Sequence, residues 1–227
     1  MIEKIRNLNE LKGGVQKRWP LKNKDEYFKL CDYLQKINFC IQDLNYEIEH
    51  NKKFGMKEIV FIIIQTVWIQ EALDCIIKSY NKKVAAGFSY ENDDKVEKAT
   101  IYLKAIRSFV VAHPLTTSRH EIFGFDGNFI CVDIRTQDIT FPLIKDESFY
   151  HLDIEGIHTQ RCKADSFYLY TYSQTDDGMR FFRYIGCSIE DIIFAASLYV
   201  DKLYAFDKYL YKQKQSTYGK RCNNDKT

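Results

Sequence analysis

A chain of 227 residues with 45% hydrophobic and 28% charged side chains, and only 3 Pro and 10 Gly, can bury a substantial core, which excludes a disordered tether or a collagen-like rod. A formal charge of +2 supplies no global field for nucleic acid, so any anion site must be a local cluster. The 7 cysteines show no CxxC pair and no regular spacing, which argues against a disulfide framework or a zinc ribbon and fits reduced, cytoplasmic thiols.

Residues 1–22 read as a polar N-terminal arm, without the apolar core of a secretory signal, whose KRWPLK end lets Trp19 and Pro20 dock on the body. From residue 23, Phe28, Cys31, Leu34, Ile37, Ile41, Leu44 and Ile48 recur every three or four residues and predict a helix to about His50. Met56 to Tyr80 predicts a second helix, apolar nearly all round from Ile59 to Ile69. That run is interrupted by Gln65 and Thr66 and falls short of the roughly 20 residues a membrane span needs, so it predicts a buried spine and no membrane. Residues 81–90 read as a connector. Asn92 to Asp94 offer caps to a third helix whose Ala99, Leu103, Ile106 and Val110 form one buried face. Pro114 stops it, which places His113 at the last helical position or just past it, where the helix carbonyls favour an imidazolium titrating near neutrality.

After residue 120 the hydrophobic period changes from helical to two. GFDGNFICVDIRTQDITF predicts a strand, and SFYLYTYS and MRFFRYI, joined through QTDDG, predict a hairpin. His151 and His158 fall between them in a stretch with no periodic signal. Ser188, with Asp191 as capping-box partner, opens a last helix along Ile189, Ile192, Ile193, Ala196, Tyr199, Val200, Leu203 and Phe206, ending near Gln215. Residues 216–227 read as a flexible tail. The predicted fold is α+β and mainly helical, in a single domain over 1–227. A helical bundle of about four main helices comes from 23–120 and 188–214, and a small antiparallel β-sheet, from the strand-rich insertion 125–186, is inserted before the last helix.

The stretch RSFVVAH, with Arg107, Ser108 and His113 at the end of the third helix, resembles the signature of the HEPN superfamily (higher eukaryotes and prokaryotes nucleotide-binding domain): an Arg, usually followed by a polar residue, with a His four to six positions further on. The resemblance covers the helical portion and not the strand-rich insertion. It implies a metal-independent ribonuclease of a toxin–antitoxin or phage-defence system that acts on RNA without a cofactor, as a homodimer whose two motifs line one cleft, with an antitoxin protein as a further partner. On that reading Arg107 stabilises the phosphate, His113 is the general acid/base and Ser108 positions, while the second basic pair, Arg119 and His120, contacts substrate. The residue types suit the chemistry: cleavage without metal needs a base for the 2′-hydroxyl and a cation for charge growing on the phosphorane. On a regular helix Arg107 and His113 would be rotated by about 120° and separated by about 9 Å. Convergence therefore needs an unwound helix end or a second chain.

Two readings of other classes stay open. His113, His120 and Asp126, with Asp133, offer the imidazole and oxygen donors of a metal-dependent hydrolase, at spacings that match no ligand signature. Alternatively the chain is a non-catalytic scaffold or binding module, using Tyr168, Tyr170 and Tyr172 near Arg180 and Arg183 to stack bases or bind protein. Plainer explanations of the same residues are a sheet packed on the helices and a His capping a helix.

Overall fold

The computed structural model describes residues 2–9, 11, 19, 24–51, 53–80, 82–111, 131–135, 147–159, 166–174 and 180–224. In chain order these hold helices α1 (Lys24–His50), α2 (Met56–Lys78), α3 (Lys82–Ala86) and α4 (Asp93–Val110), strands β1 (Cys131–Arg135), β2 (Glu147–Asp153), β3 (Gly156–His158), β4 (Phe167–Gln174) and β5 (Arg180–Cys187), and helix α5 (Ile189–Asn224). The chain is thus mainly helical, with four main helices and a sheet inserted before the last. α3, a single five-residue turn of helix, occupies part of the expected connector.

α2 has almost no polar side to offer water, and it takes the centre, packed against α1, α4 and α5. By length and composition alone it is apolar enough to cross a membrane. Here Ile59, Ile62, Ile63, Ile69, Leu73 and Ile76 lie inside the bundle. Glu58 starts it by reaching back to the Gly55 N–H at 3.0 Å. α1 buries Leu30, Ile37, Cys40, Ile41 and Leu44. Phe28, read above as part of that stripe, is instead 60% exposed, because the buried face is set by Leu30 and Ile37, which point nearly the opposite way round the helix.

α4 buries Ala99, Leu103, Ile106 and Val110 as predicted. It ends at Val110, with the Val111 N–H closing the last turn on the Arg107 carbonyl at 2.9 Å. That end falls before the position expected for His113. His113 and Pro114 lie outside the described residues. In α5 all eight predicted stripe residues are buried, and Ser188 accepts the Glu190 N–H at 3.0 Å. The helix runs on to Asn224, beyond the expected end near Gln215, since nothing in QKQSTYGKRCNN before Asn224 forbids a helical backbone.

The sheet order is β1-β4-β5-β2-β3. β1–β4 and β4–β5 are antiparallel, as expected; β2–β3, in a stretch where no strand was expected, is antiparallel too, whereas β2 and β5 run parallel, so the sheet is mixed. Two hairpins, β2–β3 and β4–β5, sit side by side, and their abutting strands share a direction. Phe167 and Leu169 pair in register with Cys187 and Ile185, and all four are buried against the helices. Tyr170 and Tyr172 stand opposite Tyr184 and Phe182, and Arg183 stands opposite Thr171, one register step out of the tyrosine row. Alternation therefore separates Arg183 from the tyrosines it was grouped with. The N-terminal arm lies on the bundle: Ile5, Leu8, Leu11 and Trp19 are buried, and the Asn45 amide exchanges two 2.8 Å hydrogen bonds with the Ile5 backbone.

Candidate functional site

Arg107 and Ser108 occupy the last turn of α4, and neighbouring helix positions diverge by about 100°. They meet different surroundings. Arg107 is half exposed, its Nη1 3.8 Å from Glu71 Oε1 on α2, a long ion pair between two solvated side chains. Ser108 is buried, about 100° further round the same turn. It can fix how the helix end seats on its neighbours, but it does not share the surface that Arg107 presents. His113, Arg119, His120 and Asp126 lie outside the described residues, and Asp133 is placed only by backbone register, opposite Tyr170 in β1–β4 pairing. Of the expected constellation, Arg107 is the member that is described and open to a ligand.

A second cluster went unread in the sequence. β2 and β3 are joined by a two-residue turn in which Asp153 Oδ1 accepts the N–H groups of Glu155 and Gly156, at 2.8 and 3.1 Å, and Gly156 takes a φ of 131°. The turn folds His158 opposite His151, with ring centroids 5.8 Å apart. The other carboxylate oxygen, Asp153 Oδ2, meets His158 Nε2 at 2.9 Å and His151 Nε2 at 3.6 Å. His151 is buried and His158 half exposed. Both imidazoles thus converge on an oxygen that occupies the place a cation would take, and among the described residues no trio of His, Cys, Asp or Glu is set to hold a metal. The arrangement can orient an exposed imidazole. The signal for it was HLDIEGIH, where Asp and Gly flank two residues and His stands symmetrically on either side.

A third feature is an open cleft of about 420 Å³ between the arm and the start of α5, lined by Glu3, Arg6, Glu190, Phe194 and Asp201 among others. The Arg6 guanidinium lies over the Tyr204 ring, 3.7 Å from its centroid. Partial burial raises the Asp201 carboxyl from its ordinary value, and Arg6 opposes that only in part. Acidic and basic groups are mixed along its walls, so the cleft favours no charge class of ligand. No protein-family model, curated protein or solved structure matches the chain.

Proposed function

We propose that this chain is a metal-independent RNA endonuclease of the HEPN type, acting in the cytoplasm as a homodimer within a toxin–antitoxin or phage-defence system, with an antitoxin protein as a further partner. The observation that carries the reading is Arg107, a cation at the helix end whose Glu71 contact, at 3.8 Å between solvated groups, exchanges for a phosphate at little cost. His113 takes the proton of a ribose 2′-hydroxyl. The 2′-oxygen attacks the adjacent phosphorus while Arg107 hydrogen-bonds the non-bridging oxygens, and the 5′-oxygen leaves with a proton from an imidazolium. Arg119 and His120 hold neighbouring phosphates, and Ser108 keeps the helix end seated. Two chains bring two Arg–His pairs to one cleft, which meets the convergence problem of a single helix.

The test is cleavage of single-stranded or structured RNA in excess chelator, with a 2′,3′-cyclic phosphate end as product. His113→Ala should slow it by roughly 10²–10⁴-fold, Arg107→Ala by roughly 10²–10³-fold, and His120→Ala much less. Cleavage abolished by chelator, with His120→Ala and Asp126→Ala as damaging as His113→Ala, would replace this reading with the metal-dependent hydrolase. The binding-module reading is favoured by Phe39, Tyr46 and Trp68, which are large and exposed on α1 and α2. Intact RNA, with no effect of Arg107→Ala beyond stability, would leave that reading in place.

A further inference from the structure

Charge is unevenly placed along this chain. Residues 208–224 hold five of the 33 Lys and Arg and none of the 31 Asp and Glu, so the rest of the sequence has three more acids than bases. All five cations, Lys208, Lys212, Lys214, Lys220 and Arg221, stand on the last part of α5, which continues unbroken to Asn224. Among the described residues Leu210 is the last of that helix to be buried, and Tyr211, Lys212 and Gln213 after it are exposed. From Leu210 to Asn224 is about 21 Å of helix. A basic helical segment on an otherwise acidic chain draws a polyanion to itself, while the remainder repels it.

The order of residues narrows the class of polyanion. Tyr211, Lys214, Tyr218 and Arg221 are spaced by three, four and three. At about 100° per residue their helical register places them within about 80° of one another, so rings and cations alternate along one side of the helix. That alternation suits a single strand of nucleic acid, whose phosphates need cations and whose unpaired bases offer faces for stacking. It does not suit a lipid surface or a partner helix. Residues 211–224 contain no Leu, Ile, Val, Met, Phe or Trp, so they supply neither an apolar face to sink among acyl chains nor an apolar seam for a second helix. We propose that the C-terminal segment of α5 binds single-stranded nucleic acid, with Lys214 and Arg221 on its phosphates and Tyr211 and Tyr218 stacked on its bases. Lys208, Lys212 and Lys220 add to the attracting field. The segment contains no His, Asp or Glu to move a proton, so it holds a strand without cutting it.

The inference stands apart from the ribonuclease reading, because its residues lie on α5 and not at the α4 end that bears Arg107. The test uses the full chain and a fluorescent oligothymidylate, an unstructured single strand that lacks the 2′-hydroxyl the proposed cleavage needs, so binding is read apart from cutting. Anisotropy should show binding at low salt that weakens as salt rises. Lys214→Gln/Arg221→Gln should weaken it by more than about tenfold and flatten the slope of log affinity against log salt by about 0.7 for each phosphate contact removed. Tyr218→Leu keeps the charge and should weaken binding by about five- to a hundredfold with the salt slope unchanged. Circular dichroism should be the same for both variants and the parent, and a duplex of equal length should compete less well than the single strand. No binding at low salt overturns the proposal, as does a parent-like Lys214→Gln/Arg221→Gln variant. So does a Tyr218→Leu variant that binds as the parent does, or a duplex that competes equally, since either reduces the segment to diffuse charge. Vesicles of phosphatidylserine that capture the chain and displace the strand would assign the segment to a lipid surface instead. Loss of the ribonuclease reading leaves this binding in place, and loss of this binding leaves Arg107 and His113 untouched.

Discussion

Trp19 has an indole N–H that must find an acceptor once water is removed, and it finds Asp207 Oδ1 on α5 at 2.6 Å, with both residues almost fully buried. The bond fastens the arm to the bundle and gives a buried carboxylate a donor, so its two roles can be separated by substitution. Trp19→Phe keeps most of the apolar volume but removes the donor, and should cost about 1–3 kcal/mol. Trp19→Ala also opens a cavity and should cost about 3–5 kcal/mol. Urea unfolding of the two variants reads both numbers, and a Phe variant as stable as the parent would show that the hydrogen bond contributes nothing net. At the same scale, neighbouring Arg107 and Ser108 show how far sequence reading reaches. A long cationic side chain such as Arg107 belongs at the surface, but a small polar residue is compatible with either side of a helix, and the burial of Ser108 depended on neighbours from other elements.

At the scale of elements, what was legible is what is local. The Ile59 to Ile69 run, the stripes of α4 and α5 and the β4–β5 hairpin each declare themselves within one window of sequence, and each is found. The β2–β3 hairpin is too short to show a period, and the parallel β2–β5 pairing joins segments some thirty residues apart that carry no mark of each other. The tie between α4 and α5 is likewise invisible in either helix alone. Burial alone would raise the Asp93 carboxyl, but the Lys202 ammonium at 2.5 Å and the Tyr90 N–H at 3.0 Å outweigh it and hold the group below its ordinary 3.8. A carboxyl so depressed contributes stability above its unfolded pKa and loses it as pH falls through the folded one. Asp93 also stands in the first turn of α4, where a negative charge is favoured. Because the pair is partly solvated, Asp93→Asn should cost less than about 1 kcal/mol at neutral pH and low salt. Its deficit relative to the parent should shrink in high salt and close as pH falls through the parent's depressed folded-state pKa, where its own carboxyl is protonated. A deficit that persists at low pH would assign the effect to packing and not to charge.

The whole molecule is held by a core unusually rich in rings, and that core carries a liability at high pH. Tyr199 sits between α4 and α5, its hydroxyl 3.1 Å from Thr100 Oγ1, and burial pushes it up from 10.0 to about 12. Tyr80 packs edge-on against Trp19 and Phe206, its hydroxyl buried without a hydrogen-bond partner among the described residues, and burial raises it further. In α1, burial raises the Cys40 thiol from 9.0 to about 11. Each group is neutral when protonated and is held protonated by the fold. Between its ordinary pKa and its raised one, the folded chain therefore binds more protons than the unfolded chain. Stability is full below about pH 9 and falls progressively as pH climbs towards 12. Helical circular dichroism should be lost in that window, with tyrosinate absorbance rising in step, since these hydroxyls ionise only when the core opens. Tyr199→Phe loses the Thr100 bond and should be less stable at neutral pH by about 0.5–1.5 kcal/mol. Yet its deficit should narrow as pH rises above 10, because the variant has no phenol to ionise there. If the parent and the variant instead lose stability in parallel up to pH 12, Tyr199 does not sense alkali and the liability lies elsewhere in the core.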